Sequence, residues 1–126
     1  MQRTEMRGRL TDEFRARTKK FAAGVIRLYL KLPKGREEAR VLGKQLLRSG
    51  TSVAAQVREA SRARSDEEFV SKLGRAVQEA DESQLWLELL RDECGLAPSD
   101  TLPMENEAYE LMAIITTMIN KTKGRN

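Results

Sequence analysis

Apolar residues recur along this chain at helical intervals. Phe14, Phe21, Val25, Leu28 and Leu32 are separated by 7, 4, 3 and 4 positions, which places them on one face of a helix. Thr11 is a suitable N-cap for that segment, with Asp12 and Glu13 near the positive end of the helix dipole. Pro33 ends it, because the residue before a proline disfavours the helical region. The first helix is thus predicted over about 11–32, and a second over about 36–63. The core face of the second reads Ala39, Leu42, Leu46, Ser49, Val53, Val57 and Ala60.

The best-marked boundary is "SDEE", Ser65 to Glu68. It has the form of a capping box, in which the serine hydroxyl caps one backbone N–H and Glu68 reaches back to another. A third helix over about 66–94 then shows Phe69, Leu73, Ala76, Ala80, Leu87 and Cys94 on one face, with Gly95 placed to cap its C-terminus. "APSDTLP" reads as a loop, and a fourth helix over about 103–122 presents Met104, Ala108, Leu111, Ile115 and Met118. Short connections make successive helices antiparallel neighbours. The expected fold is all-α, an up-down-up-down four-helix bundle forming one domain over 1–126.

Further apolar or small residues lie outside those core faces. Ala23, Ile26 and Leu30 form a second stripe on the first helix. Gly43, Leu47, Gly50 and Ala54 form one on the second, and Trp86 and Leu89 point away from the Phe69 stripe on the third. Aligned apolar residues of this kind suggest a partner surface, with self-association the expected use. The alternative is an irregular monomer that folds them beneath its termini. Ser49, Ser52 and Gln56 interrupt the apolar pattern of the second helix. A buried hydroxyl is expected to bond the carbonyl one turn back, and the glutamine to bridge to a neighbouring helix.

Composition then limits the chemistry. The chain has 126 residues, 33% charged and 40% apolar, with no histidine and a single cysteine. No apolar run is long enough to span a bilayer, "MQRTEMRGRL" lacks the apolar core of a secretion signal, and a cytoplasmic protein is expected. Without histidine the commonest general base and metal ligand are missing. Cys94 has no activating partner, no glycine-rich phosphate loop is present, and no cofactor or metal is implied. Glu59 and Glu79 are the carboxylates that could do acid–base work. Pairing with arginines such as Arg48, Arg58 or Arg75 is the expected alternative, and the chain is read as a non-enzyme.

Charge is uneven. Residues 1–40 hold 12 Lys and Arg against 5 Asp and Glu, whereas residues 41–126 hold 11 against 14. Arg15, Arg17, Lys19, Lys20, Arg27, Lys31 and Lys34 are therefore the candidate phosphate contacts, with Arg17, Lys20, Arg27 and Lys31 on one sector of the first helix. A solvated helix face would look the same.

"RTKKFAAGVIRLYLKLPK" and "EARVLGKQLLRSGTSVAAQVREASRARSDEEFVSKLGRAVQEADESQLWLELL" closely resemble the four-helix-bundle family of 23S rRNA intervening-sequence proteins, over about residues 17–94. Matching positions are Arg17, Lys19, Phe21, Ser49 to Val53, Glu59, Glu79 and Trp86. Gln56 departs from the asparagine frequent there. A more distant similarity is to the accessory variability determinant of diversity-generating retroelements. The resemblance implies a bacterial bundle assembled as a ring-like homopentamer with a positive surface, which binds RNA or DNA. The alternative is a protein-interaction scaffold, or an accessory subunit for a partner such as a reverse transcriptase, without direct nucleic-acid contact.

Overall fold

Helix boundaries fall where capping chemistry places them. The computed structural model describes residues 9–124. Thr11 Oγ1 accepts from the Phe14 N–H at 3.0 Å and opens α1 (Asp12–Leu30). After the Pro33 turn, α2 runs Glu37–Ser61. Ser65 Oγ accepts from the Glu68 N–H at 3.0 Å and opens α3 (Asp66–Cys94). Glu68 answers by accepting from the Arg64 N–H at 2.9 Å, one residue upstream of the cap itself. Gly95, at φ 76°, closes α3 in the left-handed region that glycine enters without strain.

The fourth helix corrects the expectation. α4 is Pro98–Thr122, so most of the stretch read as a loop is its first turn. Pro98 takes the first position, where a missing N–H costs nothing, and Pro103 lies inside the helix rather than starting it.

The helices pack in sequence around a square: α1 on α2, α2 on α3 and α3 on α4, with α4 touching α1 only lightly. Pairing runs antiparallel at each tested seam. Arg48 meets Glu82 and Lys72 meets Glu59 between α2 and α3, while Arg17 meets Glu107 and Lys31 approaches Asp100 between α1 and α4. The predicted faces supply the core: Phe14, Phe21, Val25, Leu28, Leu46, Val53, Val57, Leu73, Leu87, Leu111 and Ile115 are all buried. Leu90 and the polar residues Thr18, Ser83, Thr101 and Glu105 join them.

The polar residues of α2 act differently from one another. Ser49 Oγ lies 3.3 Å from the Leu46 carbonyl and 2.8 Å from Ser83 Oγ, and Ser83 in turn donates to the Glu79 carbonyl at 2.8 Å. Each hydroxyl has one proton, so Ser83 spends its own on Glu79 and Ser49 donates across the seam. This buried pair ties α2 to α3. Gln56 makes no such bridge: its Oε1 is buried and unpaired, contrary to expectation. Ser52 is only half-buried. Glu79 pairs with Arg48 at 3.3 Å, and Glu59 pairs with Lys72 at 2.8 Å rather than with an arginine.

Gly43 and Gly50 overturn part of the second-stripe reading. Both are buried against α1 of the same chain. A Cβ on Gly50 would lie 2.6 Å from Val25 Cγ2, and one on Gly43 would lie 2.2 Å from Leu32 Cδ1. The close approach that small residues permit is thus made by α1 and not by another subunit. Leu47 and Trp86 also pack against the core, the latter with its indole N–H buried and unpaired. The two glycines should respond differently to alanine. Val25 is stiff at χ1, so Gly50→Ala is expected to lower stability by about 1–3 kcal/mol. At Gly43 the obstacle is the flexible end of a leucine, and the helix-propensity gain of about 1 kcal/mol offsets much of the clash. Urea denaturation of both variants checks the order; equal losses would contradict it.

Candidate nucleic-acid and assembly surfaces

Helix α1 presents its charged residues to three different surroundings, and these decide what each can do. Towards α2, Arg15 is enclosed. Its guanidinium donates to the Leu10 carbonyl, to Ser61 Oγ at 2.9 Å and to Asp12, and its side chain is 16% exposed. It locks the segment before α1 onto the end of α2, where the Arg9 N–H also donates to the Ser61 carbonyl at 2.9 Å. The expectation that Arg15 contacts phosphate is therefore corrected.

Towards α4, Arg17 is neutralised. Its Nε donates to Glu107 Oε2 at 2.7 Å, and its Nη2 donates to Glu107 Oε1 at 2.9 Å and to Glu110 Oε1 at 2.7 Å. The hydrogen bonds it donates to Glu107 and then to Glu110 hold the guanidinium charged well beyond its ordinary range. One arginine between two carboxylates leaves a net negative charge. Arg17 is thus a clasp across the α1–α4 seam, which corrects its expected role too.

The other candidates on α1 and its turn remain at the surface. Lys19, Lys20, Arg27, Lys31 and Lys34 are exposed. Lys31 lies 3.8 Å from Asp100, and the remaining four have no ion pair among the described residues.

Two concave regions collect these cations. The open α1–α4 seam forms a groove of about 670 Å³. Phe21, Gly24 and Met104 line its floor, and Lys20 and Arg27 stand on the α1 wall. A second cleft, of about 460 Å³, lies between α1 and α2 and is lined by Lys19, Ala54, Ala55, Arg58, Glu59 and Arg62. Glu59 is already paired with Lys72, so Lys19, Arg58 and Arg62 leave this cleft positive. Neither Arg58 nor Arg62 was among the expected phosphate contacts: the sequence offered Arg58 only as a partner for a carboxylate and did not single out Arg62. They are one helical turn apart near the end of α2, a spacing that offers both to one ligand.

The apolar candidates divide similarly. Ile26 is 43% and Leu30 73% exposed, and Ala23 is half-buried beside them. Ala54 lines the α1–α2 cleft, and Leu89 is half-buried. Leu85, which the sequence did not single out, is 45% exposed on α3.

Cys94 is buried. Glu105 is buried as well, but Arg91 donates to its carboxylate, so it is a structural ion pair between α3 and α4. Among the described residues no group of three or more cysteines and carboxylates could hold a metal ion, and no helix is long and apolar enough to cross a membrane.

Fold and surface together define a small charged helical bundle with basic clefts. The chain belongs to the 23S rRNA-intervening sequence protein family, whose model matches residues 13–117. It is also similar to a solved protein of unknown function from the S23 ribosomal protein family of Bacteroides thetaiotaomicron. That similarity has 33% identity and a TM-score of 0.77, over 83% of this chain and 96% of the other. No curated protein matches. The more distant likeness to the retroelement accessory protein finds no counterpart among these relatives. Neither the family description nor the name of the solved relative assigns a reaction.

Removing Arg17 leaves Glu107 and Glu110, neighbours one turn apart on α4, without the cation that holds them to α1. Arg17→Ala is expected to cost about 1 kcal/mol, the upper range for a partly exposed pair with fork geometry. A double-mutant cycle with Glu107→Ala, read by chemical denaturation, should return a coupling of about 0.5–1 kcal/mol; no coupling would mean the clasp is not made.

Proposed function

We propose that this chain is a non-enzymatic, self-associating cytoplasmic bundle that binds structured RNA or DNA through phosphate contacts. The observation that carries the reading is the α1–α2 cleft. Lys19, Arg58 and Arg62 converge there with no carboxylate left to neutralise them. A cation already paired with a carboxylate must break that pair before it can take a phosphate; these three need not. Lys31 and Lys34, exposed at the end of α1 and in the turn after it, add to the positive field that draws a polyanion in.

Self-association is supported by the exposed Ile26 and Leu30, next to each other on the outer face of α1. The family resemblance favours five copies in a ring. Phosphate contacts of this kind position a nucleic acid without reading its sequence, so selectivity would come from its shape. An alternative, in which the partner is another protein, draws on the same exposed leucine.

The test is binding of a labelled RNA hairpin, followed by anisotropy between about 50 and 200 mM salt. Affinity should fall steeply with salt, and the triple variant Lys19→Ala/Arg58→Ala/Arg62→Ala should lose both affinity and slope, by about 0.9 in the log–log plot for each contact removed. Arg17→Ala should leave both unchanged. A triple variant that binds like the parent overturns the assignment of the cleft. No binding at any salt, by an assembled protein, would give the place to a protein partner.

A further inference from the structure

The α1–α4 groove and the outer side of α3 carry matching patterns that nothing within one chain satisfies. On α1, Lys20, Gly24 and Arg27 follow one another at intervals of 4 and 3. Gly24 makes a notch between the two cations: a Cβ placed there would touch only the flexible end of Met104, at 3.5 Å. On α3, Asp81, Leu85 and Glu88 follow at the same intervals of 4 and 3. Leu85 stands out from that helix, 45% exposed, between the two acids. None of the four charged residues has an ion pair among the described residues. By contrast Glu82 is held by Arg48, Asp92 by Arg91 and Glu107 by Arg17.

We infer that the groove receives the α3 ridge of a second copy of this chain, with Leu85 in the Gly24 notch and the two acids against Lys20 and Arg27. This rests on the self-association proposed above and gives it a surface. Equal spacing matters because each triad spans about 10 Å of helix, so both charge pairs can close at once around the central leucine. The groove floor of Phe21 and Met104 is apolar and suits a leucine. Glu13, the remaining acid of the lining, is two turns before Lys20 and clear of the triad.

The contact is heterologous, since groove and ridge are different surfaces of the same chain. Repetition of such a contact from copy to copy leads to a ring or an open filament. Lys20 and Arg27 thereby leave the nucleic-acid surface. The α1–α2 cleft, on the other side of α1, stays open in the assembly.

Charge reversal with light scattering tests this. Lys20→Glu/Arg27→Glu and Asp81→Lys/Glu88→Lys should each lower the assembled mass towards the 14.3 kDa protomer. The quadruple variant in one chain should restore assembly, because the charges are exchanged and not lost. The four altered positions are exposed or half-buried, and circular dichroism verifies that the helices persist. As a check independent of charge, a chain carrying Gly24→Cys mixed with one carrying Leu85→Cys should cross-link under oxidation, and Leu85→Cys alone should not. An assembled parent whose mass ignores both reversals overturns the ridge-in-groove contact while leaving self-association standing. A monomeric parent overturns the self-association itself and this contact with it.

Discussion

The rest of the structure depends on how closely α1 lies on α2. Gly50 sits beneath the stiff side chain of Val25, where a methyl group has no room, and Gly43 sits beneath Tyr29 and the flexible end of Leu32. Two such contacts two turns apart fix the distance and the angle between the helices. A helix drawn so far onto one neighbour cannot lie equally close to the other. The α4–α1 seam is accordingly the lightest of the four, closed at one end by the Arg17 fork and open along the groove beside Gly24. The cleft that collects Lys19, Arg58 and Arg62 follows from the same contact, since it is the outer edge of the α1–α2 pair. One steric constraint therefore shapes both concave surfaces.

Electrostatics decides which surface is positive. A count of charges treats Arg15, Arg17 and Lys19 as equals, yet the three have different fates within five residues. Arg15 satisfies a carbonyl, a hydroxyl and Asp12, and Arg17 is held between two glutamates. Lys19 faces solvent. A guanidinium offers several donors in one plane and suits such fixed clasps, whereas an ammonium on a long stem stays hydrated at low cost. The basic N-terminal third is real, but part of its charge is consumed in holding α1 to the segment before it and to α4. The positive cleft that remains draws two of its three cations from α2.

Much of the fold was legible in the sequence because helical periodicity and capping are local. The Phe14 to Leu32 face, the Ser65 cap and the Gly95 stop depend on residues a few positions apart, and the structure places each as read. Periodicity tells which residues share a face but not what covers it. Gly43 and Gly50 were correctly grouped and wrongly assigned to another subunit, since α1 of the same chain covers them. The start of α4 was misplaced because two prolines compete for one signal, and Pro98 holds the initiating position. Arg58 was read only as a carboxylate partner and Arg62 was passed over, because their significance comes from Lys19, about forty residues away in sequence and brought to the same cleft only by folding. Gln56 keeps a buried, unpaired oxygen for which the fold offers no partner.

The proposed assembly and the proposed nucleic-acid binding are more closely related than two separate properties would be. A cleft with three cations can neutralise only a few phosphates, and contacts so few hold a nucleic acid weakly at physiological salt. A chain this small has little surface on which to add more. Repeating the cleft around a symmetric assembly adds contacts without new residues, and once one is occupied the next is engaged at a high effective concentration. A rigid spacing of clefts would also favour ligands whose phosphates recur at that spacing, which a folded RNA supplies and a flexible single strand does not. Selectivity for shape would then arise from the geometry of the assembly, with no side chain reading a base. On this proposal the exposed apolar residues of α1 and α3 and the unpaired cations of the cleft would serve one function, and the loss of either would remove the benefit of the other.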